Sequence, residues 1–145
     1  MKPVTIIGGG LAGLTLGIAL RREGVPVTLH EAGQYPRHRV CGEFLSGRGV
    51  EILREAGVYE AVMAAGAREA RTLKFFSGDA ATSTMTMAEP ALCISRYQLD
   101  AILAEQFTSL NGDLRTSSRY TGDYGEGIIR ATGRQMQAEV AGRRW

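Results

Sequence analysis

A chain of 145 residues, 44% hydrophobic and 22% charged, is long enough to bury a core and too apolar for a disordered segment. Its net charge of +2, with arginines scattered along the chain, excludes a basic nucleic-acid-binding tract. The two cysteines, Cys41 and Cys93, form no CxxC or Cys/His cluster, so neither a zinc site nor a disulfide framework is expected, and a reducing cytoplasm is the expected compartment.

The N-terminus has no extended basic region and its apolar run is broken by glycines, which marks folded structure in place of a signal peptide or membrane span. Val4 to Ile7 is β-branched without polar alternation, as in a strand buried on both faces of a parallel sheet. A glycine cluster ends it. From Leu11 the apolar residues Leu11, Leu14, Leu16, Ile18 and Leu20 alternate with small ones, and "RREG" gives a helix a basic last turn and a stop at Gly24. "VPVTLHE" is a second strand, and the three elements make a right-handed βαβ crossover complete by Glu31.

Residues 32–45 read as a loop, followed by a helix entered at Ser46 and stopped at Gly57, then a second short helix, "VYEAVMAAG". "TLKFF" and "TSTMTM", separated by Gly78 and Asp79, carry the period-2 pattern of a hairpin or meander, so residues 71–94 form a β insertion. Ser95 caps a helix with Leu99, Ile102, Leu103 and Phe107 on one face, which Asn111-Gly112 ends. Short strands follow from Asp113, among them "GIIRATG". The expected fold is α/β: one Rossmann-like βαβ domain over residues 1–145, with a parallel sheet and a small inserted antiparallel segment.

Gly8, Gly10 and Gly13 satisfy GxGxxG between a strand and a helix, with Leu11 and Ala12 inside the motif. The first glycine makes the tight turn, the second lets backbone approach a pyrophosphate, and the third lets the helix pack closely on the strand. The anion then meets the free N–H groups and positive dipole end of the helix. Glu31, 18 residues beyond Gly13, can accept hydrogen bonds from ribose hydroxyls, which points to FAD or NAD and away from the 2′-phosphate of NADP. Gly17 is either a small position for close backbone approach or a helix residue of poor propensity.

With "GGGLAG…HEAG", "RHRVCGEFLSG" and "ISRYQLDAILAEQ" in this order, the chain resembles the FAD-dependent oxidoreductases of the para-hydroxybenzoate hydroxylase-type fold. Within them it is most similar to the geranylgeranyl reductase-like branch, whose neighbours include aromatic monooxygenases and flavin-dependent halogenases. The resemblance implies FAD, with Gly8, Gly10, Leu11, Ala12 and Gly13 at the pyrophosphate and Glu31 at the ribose. It also implies that the loop carrying Arg39, Cys41, Gly42 and Glu43 approaches the flavin, Arg39 offsetting phosphate or reduced-flavin charge; the alternative is a surface loop with a buried free thiol. Ser95, Arg96 and Leu99-Asp100 match the helix entrance from which an arginine reaches the cofactor, and the alternative for Arg96 is an ordinary solvated helix residue. Thr132-Gly133-Arg134 stands where the family has an Asp-Gly or Tyr-Gly motif with a trailing basic residue, without the usual aspartate, unless "ATGRQMQAEV" is only a hairpin.

The activity implied is hydride transfer from NAD(P)H through flavin to an alkene or to oxygen. The rivals are a non-catalytic module binding FAD or NAD, and a fragment that needs a partner segment. No Ser/His/Asp set or pair of catalytic carboxylates is present to name catalytic residues, and of the two histidines His30 suits packing or contact with the adenosine edge. The family's later Gly-Asp motif has no counterpart, "GDAATST" at Gly78 reading as a turn, so the chain is expected to be an N-terminal portion without the substrate domain. A small-molecule substrate is expected, membrane-lipid-like if the branch holds, with a second copy or a C-terminal segment as partner.

Overall fold

The computed structural model describes residues 1–41 and 43–133. In chain order its elements are β1 (Val4–Ile7), α1 (Leu11–Arg22), β2 (Val27–His30), β3 (Phe44–Leu45), α2 (Arg48–Glu55), α3 (Tyr59–Ala64), β4 (Arg68–Leu73), β5 (Phe76–Ser77), β6 (Ala80–Ala81), β7 (Met85–Cys93), α4 (Arg96–Ser109), β8 (Asp113–Arg115) and β9 (Ile128–Arg130). They fall into two compact units, Met1–Gln34 with the chain from Phe107 onward, and the intervening Tyr35–Gln106.

In the first unit the strands run parallel in the order β8-β2-β1-β9. Counted along this sheet alone the order is 3-2-1-4, that of the dinucleotide-binding half of a doubly wound fold. Ile6 of the central β1 pairs with Leu29 on one side and Ile129 on the other, and Ile6 and Leu29 are fully buried. Each such side chain contributes about 1.5–3 kcal/mol by leaving water. The buried stripe of α1 is Gly13, Leu14, Gly17 and Ile18, so two glycines share the packed face with two branched residues, and Leu16 and Leu20 are only half-buried. Gly24 ends the helix: its N–H donates to the Arg21 carbonyl at 3.0 Å and that of Val25 to the Leu20 carbonyl at 3.0 Å. The short strands expected after Asp113 are β8 and β9, the outer members of the parallel sheet.

The second unit holds the antiparallel sheet β3-β7-β4 and the two-stranded β5-β6. Gly78 turns the β5-β6 hairpin, and β4 and β7 pair on either side of it with a bulge between Ala70 and Thr72. The antiparallel segment is therefore a nested hairpin, and its first strand begins at Arg68. Two expectations change here. Phe44 and Leu45, read as loop, form β3 against Cys93 and Leu92, because the buried end of β7 needs hydrogen-bond partners on its second edge. Ser46 is not the cap of α2: Gly47, at φ +53°, takes that place without a side-chain bond, and Ser46 offers only its carbonyl to the Gly49 N–H, 3.1 Å. Ser95 does cap α4, its Oγ accepting from the Gln98 N–H at 3.3 Å.

Candidate functional site

In the first unit the chain leaves β1 through Gly8, whose φ is +109°. A Cβ there would stand 2.5 Å from the Ala131 carbonyl oxygen, so only glycine makes this turn while the end of β9 runs alongside. The Gly8 N–H donates to the His30 carbonyl at 2.8 Å and the Ala131 N–H to the Ile7 carbonyl at 2.7 Å, which binds the loop to both neighbouring strands. Gly10 is the N-cap of α1 in extended backbone, with no side-chain cap and no acidic residue in the first turn. Leu11, Ala12 and Gly13 form that turn, and a Cβ on Gly13 would strike the Gly8 carbonyl oxygen. Uncapped first-turn N–H groups at the positive end of the helix dipole favour an anion.

Glu31 follows β2 directly and is 5% exposed. Its Oε2 accepts from the Gly9 N–H at 2.8 Å and its Oε1 from the Gly33 N–H at 2.8 Å. These two bonds tie the carboxylate to the glycine loop and to the turn after β2. Gly9 and Gly33 were not singled out in the sequence, although Gly33, two residues on, is where a local side-chain turn reaches. Thr132, beside Gly8, holds its Oγ1 buried without a hydrogen-bond partner. His30 has packing partners: Nδ1 lies 2.9 Å from Ser118 Oγ, and the ring meets Tyr120 edge-on at 5.3 Å. Burial, and then the charge of Arg115, hold its imidazole below the ordinary value, against the opposing pull of Asp113.

In the second unit Arg96 opens α4 and grips Asp100 at two points, Nε to Oδ1 at 2.6 Å and Nη2 to Oδ2 at 2.9 Å. The Arg96 side chain is 16% exposed and that of Asp100 fully buried, so Arg96 is not the solvated helix residue that was its alternative. Asp100 raises the Arg96 guanidinium further above its ordinary range, chiefly by these hydrogen bonds, and the Cys41 thiol contributes in the same direction. The Glu43 carbonyl accepts from the Ile94 N–H at 3.1 Å, and the His38 and Tyr97 rings meet at 4.8 Å with their planes tilted by 33°. These contacts hold His38 and Glu43 beside the start of α4, and Cys41 lies within hydrogen-bond reach of Arg96. Cys41 is exposed, against the alternative of a buried thiol, and Arg39 is exposed as well. Gly42 and Arg134 lie outside the described residues.

An open cavity of about 260 Å³ in the second unit is lined by Glu51, Arg54, Tyr59, Glu69, Glu89 and Leu92 among others, and includes none of the nominated residues. Among the described residues no His, Cys, Asp or Glu group is placed to hold a metal ion, and no helix is long and apolar enough to cross a membrane.

A model of the FAD binding domain family matches residues 1–141. The chain belongs to that family. As a member of the FAD binding domain family it is 30% identical over 122 residues to rifampicin monooxygenase of Rhodococcus hoagii, which covers 82% of this chain and 25% of the relative. It is 32% identical over 87 residues to squalene epoxidase erg1 of Schizosaccharomyces pombe, 60% of this chain and 19% of the relative. Among solved structures it matches the tetrameric form of 2-methyl-3-hydroxypyridine-5-carboxylic acid oxygenase with a TM-score of 0.74 at 28% identity, over 82% of this chain and 32% of that one. The chain thus spans a quarter or less of these curated relatives. The residues present fit the family's cofactor: the uncapped start of α1 and the orphaned Thr132 Oγ1 are groups that a dinucleotide would satisfy.

Proposed function

We propose that this chain is the FAD-binding portion of a flavin-dependent oxidoreductase that takes hydride from NAD(P)H and uses it to activate oxygen. The observation that carries the reading is the join of Glu31 to the glycine loop. One carboxylate bonds Gly9 and Gly33, next to an uncapped helix start built on Gly8, Gly10 and Gly13. In this reading the first-turn N–H groups at Leu11, Ala12 and Gly13 hold the pyrophosphate and Glu31 orients the ribose. Cys41, Gly42 and Arg96, with Arg39, are assigned to the flavin by the family resemblance alone. Bound FAD supplies the electron-transfer chemistry, and the protein supplies binding, orientation and charge.

The named relatives are a monooxygenase, an epoxidase and an oxygenase, which favours oxygen over the alkene implied by the geranylgeranyl reductase-like branch. The test is titration of the purified chain with FAD and with NAD, followed by flavin fluorescence and thermal melting. Stabilisation by FAD and not by NAD is expected. Stabilisation by NAD alone, or by neither, overturns the reading.

A further inference from the structure

Two consecutive serines just past β8 grip the turn that carries Glu31. The Ser118 N–H donates to the Glu31 carbonyl at 2.9 Å, and the Ser117 N–H to the Gly33 carbonyl at 2.9 Å. Their side chains bond the residues on either side: Ser118 Oγ lies 2.9 Å from His30 Nδ1, and Ser117 Oγ accepts from Gln34 Nε2 at 3.0 Å. Each serine thus bonds the turn through both its backbone and its side chain, and every one of these residues belongs to the first unit.

The parallel ladder does not require this grip. β8 ends at Arg115, whose carbonyl accepts the Glu31 N–H at 2.9 Å, so the serines lie beyond the sheet. Ser117 also holds φ at +51°, a left-handed conformation that a non-glycine residue keeps only where its surroundings fix it. Glycine would adopt that φ freely but would lose the Oγ that holds Gln34.

The consequence falls on one side chain. Glu31 has its N–H on Arg115, its carbonyl on Ser118, and its two carboxylate oxygens on Gly9 and Gly33, so backbone and side chain are fixed together. A group held in this way meets a ligand already oriented, and binding does not bear the entropy of ordering it.

We propose that Ser117 and Ser118 are positioning residues that hold Glu31 in the orientation in which it meets the ribose hydroxyls of the dinucleotide. The proposal rests on the FAD-binding reading, in which Glu31 orients the ribose. The serines are assigned no contact with the cofactor; they act through Glu31.

The experiment compares ADP with 2′,3′-dideoxy-ADP, which lacks those hydroxyls. Dissociation constants are measured by calorimetry for the wild-type chain, Ser118→Ala, Ser118→Thr, Ser117→Gly and the double variant Ser117→Ala with Ser118→Ala, each checked by circular dichroism. Ser118→Ala is expected to weaken ADP binding by about three- to tenfold, the net worth of one hydrogen bond, and to leave dideoxy-ADP unchanged. The double variant should lose more for ADP alone, and Ser118→Thr, which keeps the hydroxyl, should bind both nucleotides like the wild type. Ser117→Gly relieves the left-handed strain while releasing Gln34, so it should melt no lower than the wild type and still bind ADP less tightly. If the double variant fails to fold, Ser117→Gly and Ser118→Ala carry the test. Equal losses for the two nucleotides would show a merely structural role and overturn the proposal, as would wild-type ADP affinity in Ser117→Gly or Ser118→Ala. Equal wild-type affinity for ADP and dideoxy-ADP also overturns it, while FAD binding stands. A wild-type chain that binds no FAD overturns the functional reading, and is seen before any variant is compared.

Discussion

The Phe107 ring fills the space where a methyl group on Gly17 would lie: a Cβ there would be 2.8 Å from Cε2. A Cβ on Gly112 would strike the same ring. Phe107 is fully buried, and its ring is seated against two glycines, one from α1 and one from the turn that follows it. Of the two readings of Gly17, close approach is the one the packing supports.

Gly17→Ala should therefore destabilise the chain although alanine is the better helix former. The propensity gain is about 0.5–1 kcal/mol, while overpacking a closed core costs about 1–3 kcal/mol. The net loss should lower the melting temperature by a few degrees in thermal circular dichroism. Phe107→Leu, itself destabilising, should reduce the additional penalty of Gly17→Ala. A Gly17→Ala protein that melts at or above the wild-type temperature would contradict the packing argument.

Gly8→Ala combines two penalties, a left-handed φ and a collision with the Ala131 carbonyl. It should disturb the loop and the adjoining end of β9, so both the ligand-free melting temperature and FAD affinity should fall. Retained affinity at a lowered melting temperature would separate the loop's structural duty from binding.

The βαβ unit was legible because its signals are local: β-branched residues, spaced glycines, a basic last turn and an acid at a fixed distance. The outer strands were less so, since β8 and β9 have three residues each and owe their existence to pairing with β2 and β1 far away in sequence. Ser46 misled because a serine before a helix looks like a cap, whereas the chain enters α2 through a left-handed Gly47. Phe44 and Leu45 became a strand only because β7 offered an edge. For Arg96 the signal was available: Asp100 stands at i+4, where helix side chains meet, but burial of the pair is a tertiary fact.

His30 gives the first unit an acid sensitivity. Its folded pKa lies below the ordinary 6.5, so as the pH falls through 6.5 the unfolded chain takes up the proton before the folded one does. The stability it contributes is complete above the unfolded pKa and is lost as the pH falls toward the folded value. Arg115 and Asp113 on β8 face the ring with opposite signs, and Ser118 and Tyr120 contact it. Melting temperatures measured from pH 7.5 down to pH 5 should decline, and His30→Gln should decline less steeply. Parallel profiles for the two proteins would remove His30 as the source.

Glu31→Gln tests whether the carboxylate holds the loop before any ligand binds. A glutamine offers one oxygen where Gly9 and Gly33 each donate to a different one, so one of the two N–H groups would face an amide NH₂. Leaving a buried donor unsatisfied costs about 1–3 kcal/mol. The ligand-free melting temperature should therefore fall, and FAD affinity should fall with it because the glycine loop that Glu31 holds is disturbed. A role confined to the ribose would leave the ligand-free protein unchanged and weaken FAD binding alone. The ligand-free melting temperature thus distinguishes a carboxylate that shapes the glycine loop from one that only waits for the cofactor, and the two bonds at 2.8 Å place Glu31 in the first class.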